Sequence, residues 1–458
     1  MEVTADVFDR RLDVTIDRFP RMVLQEYRLP GAIIGTFRNG REAYVAAGSV
    51  GGPNAGAAGD AGDRVFPLFS ATKLLTATLV MRLVDQGLVD LDAPAAEYVA
   101  EFRPPDPATS ALITVRRLLA HVGGLRSGDL DELGSGARDG SLADYVERSR
   151  HLRAILPPGE IYSYSSTGYA VLGRLVETVT GTRWSDALRR DLLDPLGMSG
   201  SAPRVPAALA PAPPADGALG TEPAFCDGPE WMMPVDQAIS TPRDVLAFAR
   251  LHLDGRAPEL RGLLGDDAVR TMRRPHAVVP DPTVGHAGGL GWRLYSTEVD
   301  LIGHWAAGFG HTTALWLWPA RELAVVLVVF SPDAETMVFD IAGRLFNRLL
   351  AQRPRLRPRD GDQLRGERVA GEYEAPGVRF RVEDRGDRLV MTCARQSPHS
   401  LAFHQLYDLE MTLVPTDTAG DFLVRADGEH LFVRFRNPDR AGRFKYLHLW
   451  SQAVARVR

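Results

Sequence analysis

The chain has 458 residues, 45% of them hydrophobic and 24% charged, with a formal net charge of -5. Such a length exceeds one ordinary core and implies two globular domains, while charge of both signs, dispersed along the chain, offers no footprint for nucleic acid or an anionic membrane. Two distant cysteines, Cys226 and Cys393, argue against a disulfide framework or a zinc cluster, and no apolar signal core or 18-residue apolar run follows the acidic start, so the expectation is a cytoplasmic protein with no metal, no cofactor and no membrane span.

Val7, Phe8, Leu12, Ile16, Phe19 and Val23 recur at helical spacing and predict an amphipathic helix over residues 7–27. Two β-rich runs, 30–37 and 43–48, flank Asn39-Gly40, the strongest short hairpin signal. After a Gly/Ala-rich loop, residues 64–68 read as a buried strand leading to Phe69-Ser70-Ala71-Thr72-Lys73, and an apolar helical run then continues to a stop near Gly87. Ser70 and Lys73 stand three apart, so on a helix they share one face, hydroxyl beside amine. A serine becomes a nucleophile when a neighbour takes its proton, and a lysine does so only when burial or nearby positive charge lowers its basicity. Backbone N–H groups at a helix start also favour an oxyanion at Ser70. Taken alone, Ser-x-x-Lys recurs by chance, and the plain alternative is a helix start with a solvated lysine.

Residues 113–125 predict a short helix with a glycine stop, in which His121 reads as a C-terminal cap more readily than as a base. Pro157-Pro158-Gly159 turns into a polar aromatic loop that carries Tyr162, Tyr164 and Ser166, the kind of scaffold-borne loop on which catalytic groups sit. Pro and Ala dominate 202–217, an irregular surface excursion, and Ser240-Thr241-Pro242 opens a helix. Strands are expected at 289–295, 311–318 and 323–330, with the glycine-punctuated segment 303–311 among them and a helix over about 333–351 packed on the sheet. Together these elements make an α+β sandwich. Charged, proline-marked residues 353–368 read as a linker, and the short alternating strands beyond it predict a small antiparallel β-barrel. The expected division is therefore a domain over 1–352 and a barrel over 369–458.

In chain order, Phe69-Ser-Ala-Thr-Lys73, Ile113-Thr-Val-Arg-Arg-Leu-Leu-Ala-His121, Pro158-Gly-Glu160 with Tyr164-Ser-Ser166, Asp194-Pro-Leu-Gly-Met198, Ser240-Thr241, Gly289-Leu-Gly-Trp292 and Gly303-His304 resemble the serine penicillin-recognising superfamily. That superfamily includes class C β-lactamases, DD-peptidases and esterases of the same fold. The resemblance implies Ser70 as acylated nucleophile, Lys73 as its proton acceptor and Tyr164 as proton shuttle, titrating as a coupled pair with Lys73. It implies His304 where β-lactamases carry the lysine of Lys-Thr-Gly, and the backbone N–H groups of Ser70 and Ala307 as oxyanion hole. The departures narrow the substrate: Ser166 replaces the usual asparagine, and His304-Trp305-Ala306 replaces Lys-Thr-Gly. A neutral imidazole and an indole hold a drug carboxylate poorly, while Trp305 offers an apolar wall with one N–H donor.

The His-Trp pair and the appended barrel, which is lipocalin-like, look like the penicillin-binding-protein-type thioesterases that release and cyclise nonribosomal peptides. That resemblance implies a peptidyl thioester on a carrier protein as partner and macrolactamisation as the reaction. Glu230 or Asp236 would bind the attacking ammonium and Arg456 of the barrel the acyl end. A hydrolase of the same fold, either a carboxylesterase or a D-amino-acid-specific peptidase, and a catalytically silent binding protein are the alternatives.

Overall fold

A computed structural model gives the fold for residues 18–48, 60–130, 140–204, 228–350, 366–396 and 406–457. Positions 20, 21, 24, 28, 30, 129, 153–155, 282–284, 309, 332–333, 376, 408, 417, 427–428 and 450 within those ranges are not described. Most of the expected N-terminal helix, the surface excursion, nearly all of the linker and Cys226 lie outside the described residues.

The first domain is built on an eight-stranded sheet. Strands β1 (Gly31–Arg38) and β2 (Arg41–Gly48) form the expected hairpin, with both Asn39 and Gly40 at positive φ, as a tight Asn-Gly turn requires. Strand β3 (Phe66–Pro67) pairs apart from this sheet with β4 (Ile239–Ser240), so the strand expected at 64–68 is only two residues long. The sheet continues through β5 (Ala277–Val278), β6 (Ala287–Gly288), β7 (Arg293–Ser296), β8 (Leu301–Gly308), β9 (His311–Trp318) and β10 (Leu323–Phe330). Its order, β2-β1-β10-β9-β8-β7-β6-β5, brings the end of the domain back beside its start. The strand expected from residue 289 begins only at Arg293, because Gly291 turns the chain at φ 86°.

Strand β10 shows why the sheet is central. Ala324, Val326 and Val328 join the larger core, formed with the helices Thr72–Asp85 and Ser166–Thr180. Leu323, Val325, Leu327 and Val329 join a second core on the opposite face, with Phe19 and Val23 and the C-terminal helix Ala334–Leu350. A strand buried on both faces reads as a continuous apolar run and not as an alternation.

The second domain is a closed antiparallel barrel of eight strands. They are β11 (Gly371–Ala375), β12 (Val378–Asp384), β13 (Leu389–Arg395), β14 (Glu410–Pro415), β15 (Asp421–Ala426), β16 (Glu429–Pro438), β17 (Phe444–Leu449) and β18 (Gln452–Arg456). Pairing of Tyr373 with Arg456 and of Glu374 with Ala455 closes it. Tyr373, Phe380, Met391, Cys393, Phe422 and Phe435 are among the side chains of its core, the packing expected of a small barrel filled by its own residues.

The barrel docks through β16, β17 and β18. Tyr446 and Ala453 share a small apolar cluster with Leu156 and Ile161. Lys445 pairs with Glu160 at 2.9 Å, and the fully buried Arg434 reaches Asp281 of the first domain at 3.1 Å. The loop on which the sequence placed Tyr164 is thus the barrel's seat.

Candidate active site

Ser70 sits in a 3-10 turn, Phe69–Ala71, that runs into the helix Thr72–Asp85. Phe69 adopts φ 44°, a left-handed conformation that costs a bulky residue about 1–3 kcal/mol and persists only where packing enforces it. Its ring lies 4.6 Å from that of His311 and against Gly308, where an added Cβ would come within 2.3 Å of it. His311 in turn donates from Nε2 to the carbonyl of Pro67 at 3.1 Å. The turn that carries Ser70 is thereby fastened to the end of β8.

Lys73, one turn along the helix, is fully buried. Its Nζ donates to Ser70 Oγ at 3.1 Å and to the carbonyl of Val235 at 3.2 Å. Val235 belongs to the helical turn Met233–Asp236, which is strapped to the nucleophile helix by Thr76 Oγ1 on the Pro234 carbonyl at 2.6 Å and by the Ala238 N–H on Thr72 Oγ1 at 3.2 Å. The ring of Tyr164 closes the other side, its centroid 4.9 Å from Lys73 Nζ.

The Tyr164 loop has its backbone polar groups matched, as buried peptide groups demand. The Ser165 N–H donates to His121 Nδ1 at 3.0 Å, the Ser163 N–H to the His121 carbonyl at 2.9 Å, and the Ser166 N–H to Ser127 Oγ at 2.9 Å. Ser127 Oγ donates onward to the Tyr164 carbonyl at 3.2 Å, and the Tyr164 N–H donates to the carbonyl of Ser451 in the barrel at 2.8 Å. Ser165 caps the helix Ser166–Thr180 through the Gly168 N–H.

His121 does more than the sequence suggested. Its backbone ends the helix Val115–Leu119 in a Schellman arrangement at φ 58°, with the Val122 N–H on the Arg117 carbonyl and the His121 N–H on that of Leu118. Its ring, meanwhile, lies between Tyr164 and Tyr169 and supports the Tyr164 loop. Burial, then the charges of Arg293 and Lys73, hold it well below the ordinary imidazole range, so it is neutral and keeps Nδ1 free to accept.

Strand β8 runs on past its last pairing with β7 at Gly303, so the edge of residues 304–308 turned away from β9 has no strand partner among the described residues. His304 is 2% exposed, and its Nδ1 has no hydrogen-bond partner among them. Burial first, then Arg293 and Lys73, push its pKa far down, so it too is neutral. The guanidinium of Arg293, the first residue of β7, lies 5.3 Å from the Tyr164 ring and 6.0 Å from that of Trp305. An arginine cannot lose its charge, and it is the fixed cation of this cluster. A hydroxyl and an amine thus meet at hydrogen-bond distance, with the Tyr164 ring beside the amine and neutral imidazoles and an open strand edge nearby, the kinds of group that acyl transfer uses.

The profile described as Beta-lactamase matches residues 7–386. The chain belongs to the beta-lactamase family. Penicillin-binding protein 4 of Amycolatopsis lactamdurans is 34% identical over 370 residues, covering 77% of this chain and 95% of that relative. Unguisins hydrolase ungD of Aspergillus violaceofuscus is 31% identical over 169 residues, 35% of this chain and 30% of its own. Among solved structures, SurE with D-Leu superposes with a TM-score of 0.74 at 26% identity, covering 98% of this chain and 100% of that one. This beta-lactamase-family protein is a serine hydrolase with a C-terminal barrel.

The fold brings together Ser70, Lys73, Tyr164, His304 and Trp305, with Ser166 at the start of the helix Ser166–Thr180 and Ala307 on β8 beside its open edge. Asp236 closes the helical turn whose Val235 carbonyl holds Lys73. Glu230 instead faces Arg183 at 3.9 Å, beside Trp231, which stacks on Tyr145 at 4.1 Å. Arg456 is not turned to the cleft by its contacts: it donates to the carbonyls of Arg368 and Ala370 and lies over Tyr373, within its own barrel. Missed altogether were Arg293, Ser127 and Ser451. The arginine directly after Gly289-Leu-Gly-Trp292 was the one available signal.

Proposed function

We propose that this protein is an acyl-transferring serine enzyme that takes a peptidyl chain from a carrier-protein thioester and releases it as a macrolactam. In this reading Ser70 Oγ attacks the thioester carbonyl while Lys73 accepts its proton. The oxyanion forms against the backbone N–H groups of Ser70 and Ala307. The C–S bond then breaks, the thiol leaves with a proton relayed through Tyr164, and an ester on Ser70 remains. The peptide's own amine attacks that ester, gives its proton to the Lys73 and Tyr164 pair, and expels Ser70, which is reprotonated. No cofactor enters this sequence.

The observation that carries the reading is the convergence of Lys73 Nζ on Ser70 Oγ at 3.1 Å with the Tyr164 ring 4.9 Å away. The choice of a peptide cyclase rests on His304-Trp305 at the third motif, the docked barrel and the full-length likeness to SurE, whose structure was solved with D-Leu. Cyclisation has to outrun water. A tethered amine held in place gains effective molarities of about 10⁵ M or more, against about 55 M water, and a walled cleft helps it. Asp236 is the better placed of the two acids to meet an ammonium, given its position after Val235.

A relative named as a hydrolase favours a second reading, hydrolysis of the same acyl-enzyme. Incubation with synthetic peptidyl thioesters ending in a D-residue, followed by product masses, separates the two. Cyclic product is expected, and linear acid alone across several peptides would establish the hydrolase.

A further inference from the structure

We propose that Arg293 is a positioning residue that carries the docking of the barrel into the catalytic centre, clamping Tyr164 between β7 and the turn that joins β17 to β18. The proposal rests on the reading of Ser70 as the acylated nucleophile with Tyr164 as its proton shuttle. Arg293 is only 5% exposed. Its guanidinium lies 5.3, 5.9 and 6.0 Å from the rings of Tyr164, Tyr162 and Trp305, within the range of cation–π attraction. Its Nη1 reaches Ser451 Oγ at 3.5 Å.

Ser451 returns to the same loop. It stands at φ 67°, a conformation unusual for a residue with a side chain, and it meets the first domain twice: its hydroxyl faces Arg293, and its carbonyl accepts the Tyr164 N–H at 2.8 Å. The bonds on either side run the other way, from the barrel to the loop. The Ala453 N–H donates to Ser163 Oγ at 3.2 Å, and His448 Nε2 donates to the Tyr162 carbonyl at 3.2 Å. Tyr162, Ser163 and Tyr164 are thus each tied to the last hairpin of the barrel, and Arg293 is the charged keystone on the other side. A planar guanidinium can stack on aromatic faces and still reach a hydroxyl, which a lysine ammonium does less well.

The clamp makes the barrel part of acylation itself and not merely a substrate wall. Proton transfer tolerates little misplacement, and a displacement of about 1 Å can cost roughly 10²-fold. Arg293 acts through Tyr164, so its removal loses its meaning once the phenol is gone. The test is a double-mutant cycle on the full chain, reading the rate of Ser70 acylation by p-nitrophenyl acetate in wild type, Arg293→Met, Tyr164→Phe and the double variant.

Arg293→Met is expected to slow acylation at least about 10-fold in wild type and less than about 2-fold in the Tyr164→Phe background. Equal losses in both backgrounds, or a loss below about 2-fold in wild type, overturn the proposal. Should Arg293→Met fail to fold, Ser451→Gly, which removes the hydroxyl and keeps the carbonyl, enters the same cycle with the same criterion for coupling: its loss must also vanish in Tyr164→Phe. Ester turnover by wild type without any acyl group on Ser70 overturns the acyl-enzyme reading instead, and is seen separately by mass.

Discussion

Lys73 reaches Ser70 from the same helix, and the Tyr164 ring, on a loop ninety-odd residues further along the chain, lies 4.9 Å from Lys73 Nζ. If they share the proton traffic, Lys73→Ala and Tyr164→Phe each slow Ser70 acylation at least about 10²-fold, the scale of a general acid–base contribution. Stopped-flow with an activated ester checks this, and near wild-type rates in either variant remove that residue from the mechanism. The third motif makes a second prediction. Neutral His304 and Trp305 provide no cation for a β-lactam carboxylate where a lysine is usual, so kcat/KM for nitrocefin is expected at least about 100-fold below that for an activated ester. Comparable values for the two substrates would contradict this account of the pocket. The proximity of Ser70, Lys73 and Tyr164 was legible in the sequence because short motifs keep their spacing whatever surrounds them. Arg293 and Ser451 were not, since what matters about them is a meeting across two domains that chain order does not encode.

Among the elements, the turn before the nucleophile is the most constrained. Phe69 is held in a left-handed conformation by a ring that fills the space beside Gly308. Gly308→Ala puts a methyl group into that ring, and overpacking of this kind costs about 1–3 kcal/mol. The variant is expected to melt at a lower temperature and to acylate more slowly, because the ring and Ser70 share one turn. Unchanged melting and acylation would show that the ring yields without consequence. The hairpin at Asn39-Gly40 and strands β9 and β10 were predictable because turn chemistry and long apolar runs are local signals. The delayed start of β7, which follows the turn at Gly291, and the two-residue β3, whose ends its pairing with β4 sets, were not. His121 lay between these cases: its backbone role as a helix stop was visible, and the packing of its ring among tyrosines was not.

At the scale of the whole molecule, burial of imidazoles couples folding to pH. His121, His252, His276, His304, His311 and His448 all have pKa values lowered chiefly by burial, to about 4 for His311 and about 3 for His252 and His448. The unfolded chain binds protons on these rings below about pH 6.5, whereas the native state does so only at lower pH, so stability is complete above that value and falls as the pH drops through the window. Each such ring adds a slope of about 1.4 kcal/mol per pH unit. Urea midpoints are therefore expected to fall steeply between pH 7.5 and pH 5, and a flat or rising profile would contradict the burial. The barrel belongs to this scale too. Its existence and antiparallel nature were readable from alternating segments, but its docking on the first domain through Arg434, Lys445 and Ser451 was not.

The most direct measurement is a rapid quench of the full-length protein with a peptidyl thioester ending in a D-residue, followed by intact mass and peptide mapping. The account predicts a transient mass increase equal to the peptidyl acyl group, mapped to Ser70 and absent in Ser70→Ala. Product formation that proceeds with no adduct and survives Ser70→Ala would contradict it.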